Sequence, residues 1–292
     1  MKNRVNFLAL VVLFVFLGAL GAEKYPAGKG NFEYIAPSDE FSDTIKVFYY
    51  IPENGDRTQM PVVIGFHGND RDCSYWIDTW KEYAERDSFM FFIPWFTHES
   101  FPTRRYQEVG VKDAEGHVLP KSSRTTALVD SLISQILTAS GTDAKAVTIY
   151  GHSAGGQFVH RFMLINDSPF VEKAIIGNPG WFTFPTMEEN YSYGIKDLPE
   201  IDLQRLRSMC GKNMMLQLAE GDTIRESFLR KTPEADRQGR NRLERGNNYF
   251  DTLQRMANEN GWEFNWRRVY VPEIGHDAVG MSRHAAQNLL YP

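Results

Sequence analysis

The chain has 292 residues, 42% of them hydrophobic, 24% charged and 13% aromatic, and it shows no low-complexity tract or internal repeat. That balance is globular and holds enough apolar material for a substantial core. The net charge is −5, and no basic stripe interleaved with aromatics appears, which excludes nucleic acid as a partner.

Residues 1–22 carry the pattern of a secretory signal. Lys2 and Arg4 precede an apolar run from Phe7 to Leu20, and small residues stand at Gly18, Ala19, Gly21 and Ala22. The run is shorter than the roughly 20 residues that span a bilayer. The expectation is export, to the periplasm or the outside, with cleavage after Gly21 or Ala22 and no stable membrane span thereafter. Residues 23–292 are expected to form a single domain. Export permits a disulfide between Cys73 and Cys210, and the sequence leaves open whether the two thiols meet or stay separate and buried.

In chain order, a polar lead is followed by a strand at Ile45–Pro52, then a continuous apolar strand at Met60–Phe66 that ends in His67-Gly68-Asn69-Asp70. Trp76, Ile77, Trp80, Tyr83 and Ala84 recur at helical spacing. Phe89–Ile93 reads as a strand halted by Pro94. Residues 95–123 are irregular and longer than an ordinary connection. A helix with Leu128, Leu132, Ile133 and Ile136 on one face precedes the strand Val147–Tyr150. A second helix turns Phe158, Phe162 and Met163 inward, and a short strand follows at Ala174–Gly177. The aromatic segment 180–212 leads to a strand at Met214–Ala219. An arginine-rich stretch spans 223–246, then comes a helix with Phe250, Leu253, Met256 and Ala257. Asn265–Val271 is the last strand, and a closing helix holds Met281, Ala285 and Leu289. Apolar strands alternating with helices predict an α/β fold with a doubly wound, mostly parallel sheet and helices on both faces.

The chemistry centres on Gly151-His152-Ser153-Ala154-Gly155-Gly156. A β-branched run stops at a glycine, a serine follows, and glycines open a helix: a strand–turn–helix elbow with Ser153 at its apex. Ser153, Asp222, His276 and His67-Gly68-Asn69 each fall just after a predicted strand, the sheet edge where ligands bind in such folds. A serine hydroxyl needs a base to take its proton, and the base needs a third group to hold its tautomer. Ser153, His276 and Asp222 are the candidate residues for such a set. Asp222 is favoured over Glu220, nearer the strand interior, and over Asp277, adjacent to the histidine. His67 reads as a loop-fixing residue, and His152 as packing beneath the elbow. His98, His117, His160 and His284 lack metal-ligand spacing, so neither a metal nor a cofactor is expected. Arg104 and Arg105 read as a solvated pair rather than an anion site.

The order Ser153, Asp222, His276 resembles that of an α/β-hydrolase over residues 40–292. His67-Gly68 with Trp76, the 151–156 elbow and Gly275-His276-Asp277 are similar to the polyhydroxybutyrate depolymerase and feruloyl esterase group of secreted serine esterases; Asn69-Asp70-Arg71 departs from that group's small, often cysteine-containing loop. The resemblance implies an oxyanion hole from the backbone N–H groups of Asn69 and Ala154. It also implies that the aromatic segment around Trp181 and Phe182 overhangs the site as lid or pocket wall or, alternatively, is ordinary core, and that loops 95–123 and 180–212 fix the substrate. The expected function is ester hydrolysis through an acyl-enzyme, on a small-molecule or polymeric ester. A serine peptidase of the same fold acting on short peptides is the alternative enzyme, and a non-catalytic binding protein on this scaffold is the alternative class.

Overall fold

Apolar strands interleaved with helices build one sheet from β1 (Gly28–Ile35), β2 (Thr44–Ile51), β3 (Val62–Phe66), β4 (Met90–Trp95), β5 (Val147–His152), β6 (Val171–Gly177), β7 (Met214–Ala219) and β8 (Trp266–Val271). Their order is β1-β2-β4-β3-β5-β6-β7-β8. This computed structural model describes residues 25–36, 43–288 and 290. The expected signal at 1–22 and Leu289 of the expected closing helix lie outside them.

Strands β3 to β8 run parallel, while β1 and β2 form an antiparallel margin on β4. Strands β3, β5 and β7 are buried at every position, because helices cover both faces of a parallel sheet. The helices are α1 (Ser74–Asp87), α2 (Thr125–Ser140), α3 (Ala154–Ile165), α4 (Leu203–Cys210), α5 (Pro233–Gln238), α6 (Arg242–Asn260) and α7 (Ala278–Asn288).

Side-chain alternation sends successive strand residues to opposite faces. Val63, Phe91, Tyr150, Ile175 and Met215 pack with Trp76 and Trp80 of α1 and Ala285 of α7. Their neighbours Ile64, Phe92, Ile149, Ile176 and Leu216 join Leu132 of α2, Phe158 and Phe162 of α3, and Leu253 of α6 on the other face. Each such large apolar side chain contributes about 1.5–3 kcal/mol relative to exposure. Cys73 belongs to the first cluster and Cys210 to the second, so the sheet separates them and both are free thiols.

The structure departs from the expected elements in three places. Strand β1 lies in the polar lead, where the sequence predicts no element: Gly28, Gly30 and Asn31 give it poor strand propensity, and it forms by pairing along its whole length with β2. Pro94 does not halt β4. It pairs with Val47 of β2, whereas the β3 ladder ends at Phe92, so no second neighbour needs the missing N–H there. The aromatic segment 180–212 and the arginine-rich stretch 223–246, for which the sequence predicts no element, contain α4, α5 and the first turn of α6, which Asp202, Thr232 and Asn241 cap by accepting backbone N–H bonds. Among the described residues no helix is long and apolar enough to cross a membrane.

Candidate active site

Because β3, β5, β7 and β8 point the same way, the segments after their carboxyl ends meet above one edge of the sheet. The sharpest turn is at Ser153, with φ 57° and ψ −112°, a conformation that costs a non-glycine residue on the order of 1–3 kcal/mol. The Ser153 N–H donates to the Gly177 carbonyl at 2.8 Å, and its own carbonyl accepts from the Gln157 N–H at 3.0 Å. The neighbouring glycines are required by close approach. A Cβ on Gly155 would lie 1.8 Å from the Phe66 carbonyl oxygen, and one on Gly151 would lie 2.2 Å from the Gly155 oxygen.

His276 bridges the two other predicted residues. Its Nδ1 is 2.7 Å from Asp222 Oδ2, and its Nε2 is 2.9 Å from Ser153 Oγ. A carboxylate only accepts, so Nδ1 carries the proton and Nε2 is left to receive the serine O–H. Asp222 is 2% exposed, and its Oδ1 accepts from Arg242 Nη1 at 3.1 Å. Its rivals are placed elsewhere. Glu220 and Asp277 are exposed, and Asp277 Oδ1 accepts the Val279 N–H at 3.0 Å in the first turn of α7. His152 lies under the His276 ring, centroids 4.8 Å apart. Burial above all, then the neighbouring His276 and Arg242, push its imidazole well below the usual range and keep it neutral.

His67 fixes the loop after β3. Nδ1–H donates to the Gly68 carbonyl at 3.0 Å, Nε2 accepts the Phe96 N–H at 3.1 Å, and Tyr106 Oη donates to the His67 carbonyl at 2.8 Å. Burial first, then the Arg71 charge, lowers its pKa to about 3. His98 Nε2–H donates to the Asn69 carbonyl at 2.9 Å. Asn69, Ala154 and Ser153 all line one cavity of about 370 Å³.

No protein-family model and no curated protein matches the sequence; the likeness is to solved structures. A poly(aspartic acid) hydrolase from Sphingomonas sp. KT-1 superposes with a TM-score of 0.84 at 30% identity, over 90% of this chain and 99% of that one. A poly(3-hydroxybutyrate) depolymerase from Bordetella parapertussis gives 0.83 at 30% identity, over 89% of each chain. The chain belongs to the α/β-hydrolases. An S-formylglutathione hydrolase from Agrobacterium tumefaciens, 14% identical with a TM-score of 0.53 over 88% of this chain and 91% of that one, shares the fold.

Four of the buried arginines among the described residues tie together the loops around the cavity of this α/β-hydrolase, and sequence reasoning missed all four. Arg71, in the stretch that departs from the depolymerase pattern, has φ 59°. It donates to the carbonyls of Phe96 at 2.9 Å and Phe101 at 3.2 Å and stacks on Tyr106. Arg161 of α3 donates to Gln107 O at 2.8 Å and Thr183 Oγ1 at 2.9 Å, which joins loop 95–123 to the segment after β6. Arg245 of α6 donates to Gly180 O at 2.5 Å and Arg230 O at 2.9 Å. Arg242 completes the set at Asp222. For Arg161, the sole sequence signal is a charge inside the apolar run Phe158–Ile165.

The two aromatics expected as pocket wall separate. Trp181 lines the cavity. Phe182 does not: it is fully buried, stacks on Tyr249 at 4.4 Å, and belongs to the core. The expected solvated arginine pair is also corrected. Arg104 and Arg105 are half-buried, and Arg105 bonds Asp43 at 2.5 Å while lying over the Phe101 ring. Among the described residues, no group of three or more His, Cys, Asp or Glu side chains is placed to hold a metal ion.

Proposed function

We propose that this α/β-hydrolase cleaves carboxylic esters through an acyl-enzyme on Ser153. The observation that carries the reading is the pair of hydrogen bonds running from Ser153 Oγ through His276 to a buried Asp222. His276 Nε2 takes the serine proton as Oγ attacks the ester carbonyl, then returns it to the leaving alcohol. Asp222 holds the ring and stabilises the imidazolium. Water, deprotonated by the same nitrogen, releases the acid. The N–H groups of Asn69 and Ala154, two residues that line the cavity with Ser153, would receive the carbonyl oxygen as it becomes an anion, each worth on the order of 3 kcal/mol of barrier. The Bordetella parapertussis relative is a poly(3-hydroxybutyrate) depolymerase, which supports a polymeric as well as a small ester substrate. Residues 1–22 would export the enzyme to the periplasm or beyond, leaving 23–292 as a single catalytic domain.

The test is turnover of 4-nitrophenyl acetate by the purified protein beside Ser153→Ala. A loss of at least about 10³-fold is expected, and activity that survives the substitution would sink the mechanism. The Sphingomonas relative is a hydrolase of poly(aspartic acid), an amide-linked polymer, which favours amide cleavage by the same serine as a second reading. Turnover of aminoacyl 4-nitroanilides by a parent silent on esters would select it.

A further inference from the structure

The cavity at Ser153 is lined by two guanidinium groups, Arg230 and Arg242, and by no carboxylate among the described residues. The two arginines differ in how their charge is met. Arg242 donates to Asp222 at 3.1 Å and to Glu226 at 2.9 Å, so its charge is balanced. Arg230 is half-buried. It donates to a neutral acceptor, Tyr193 Oη, at 3.1 Å and stacks on the Trp181 indole at 4.0 Å. Among the described residues no carboxylate lies within ion-pair distance of it. Arg161 packs on the same indole, 4.9 Å from its centroid. The side chain of Arg161 is likewise satisfied by carbonyls and the Thr183 hydroxyl rather than by an acid. Of the two arginines that line the cavity, Arg230 is thus the one without a carboxylate partner among the described residues, and the fully buried Arg161 on the same indole adds positive charge nearby. The stack on Trp181 fixes the plane of the Arg230 fork, which is the preorganisation that suits two-point binding of a carboxylate.

We propose that Arg230 binds a carboxylate carried by the substrate, so that the preferred esters are those with a free acid group beside the scissile bond. The assignment rests on the ester-hydrolase reading and adds the substrate class to it. A neutral ester would leave the guanidinium solvated by water in the same cavity, whereas an anionic one replaces that water with a charge-assisted pair.

Matched substrates test it: monoethyl succinate against ethyl succinamate for charge in the acyl half, and 4-acetoxybenzoate against 4-acetoxybenzamide for charge in the alcohol half. In at least one pair kcat/KM should favour the acid by about tenfold to a hundredfold, chiefly through KM. Arg230→Gln should bring that ratio close to one, and Arg230→Lys should keep part of it. Because each ratio is internal to one variant, a general loss of activity does not imitate the result. Should Arg230→Gln not fold, the parent's preference should shrink severalfold between about 20 and about 500 mM sodium chloride. A parent ratio near one in both pairs, a ratio untouched by Arg230→Gln, or a salt-independent preference overturns the proposal. A parent silent on every ester, including 4-nitrophenyl acetate, instead overturns the ester reading beneath it.

Discussion

Arg242 Nη1 lies 3.1 Å from Oδ1 of Asp222, while the other oxygen of the same carboxylate accepts from His276 at 2.7 Å. The side chains of the pair are 2% and 1% exposed. The carboxylate hydrogen-bonded to His276 is thus itself held by a buried cation, supplied from the first turn of α6 rather than from any strand end. Removing one partner of a buried pair leaves the other charge unmet and typically costs about 3–5 kcal/mol. Arg242→Gln is expected to lower unfolding stability by about that amount, read from urea midpoints. It should also lower kcat on 4-nitrophenyl acetate at least tenfold, because the Asp222 carboxylate loses one of its two anchors. Wild-type stability in this variant would mean that the pair is merely adjacent.

The choice of acid is separable from the choice of brace. Asp222→Asn keeps the shape but lets the side-chain amide offer a donor to Nδ1, which favours the wrong histidine tautomer. In the Ser-His-Asp template that change costs about 10⁴ in kcat. The same loss is expected here, with KM little changed. Glu220→Gln, at an exposed position, should stay within about threefold of the parent, as expected of a surface substitution. Equal losses in both variants would remove Asp222 from its assigned role.

What could be read in the sequence was local. The elbow at 151–156 announces itself because the turn's steric demands fall on adjacent residues. The positions after β3, β5, β7 and β8 follow from strand ends marked by glycine. What could not be read depends on partners far along the chain. Arg242 meets Asp222 across 20 residues, Arg71 meets Phe101 across 30, Arg161 meets Gln107 across 54, and Arg245 meets Gly180 across 65. In the sequence each is one more charge, and nothing in its neighbours marks it as buried. Trp181 and Phe182 show the same limit at closest range. Consecutive aromatics in an irregular segment point apart, one into the cavity and one onto Tyr249, and the direction is set by Gln238, whose side chain holds both backbone groups of Phe182 at 2.8 Å.

The steric claim about the elbow has its own test. Gly155→Ala places a methyl group 1.8 Å from the Phe66 carbonyl oxygen, a backbone atom of a fully buried strand that has no room to retreat. The cost should reach or exceed the roughly 1–3 kcal/mol of ordinary overpacking, and displacement of α3 should carry Ser153 out of reach of His276. Reduced soluble yield, a lowered thermal midpoint and loss of ester turnover are expected together. Gly116→Ala, whose Cβ would meet nothing within 4 Å, should spare activity although its φ of 90° strains it locally. A fully active Gly155→Ala protein would contradict the packing at the elbow.

Acid should destabilise the fold before the carboxylates titrate. Three histidines are buried and neutral: His67, His152 and His160. Burial is the first cause in each, followed by the neighbouring Arg71 for His67, His276 for His152 and Arg161 for His160. The folded-state value of His67 falls to about 3, and those of His152 and His160 lie well below the usual value, whereas in the unfolded chain all three titrate near about 6.5. Between these limits the unfolded state binds more protons, so stability rises with pH there. The contribution is fully present above about pH 6.5 and is lost as pH falls toward the folded values. Each histidine accounts for a slope on the order of 1 kcal/mol per pH unit below that point. Urea unfolding at about pH 7.5 and about pH 5.5, above the carboxylate range, should show the lower midpoint at the acid end with an unchanged m-value. A midpoint equal or higher at the acid end would mean that these imidazoles are charged in the folded protein, and the neutral His67 that receives the Phe96 N–H could not then be the form that fixes the Asn69 loop.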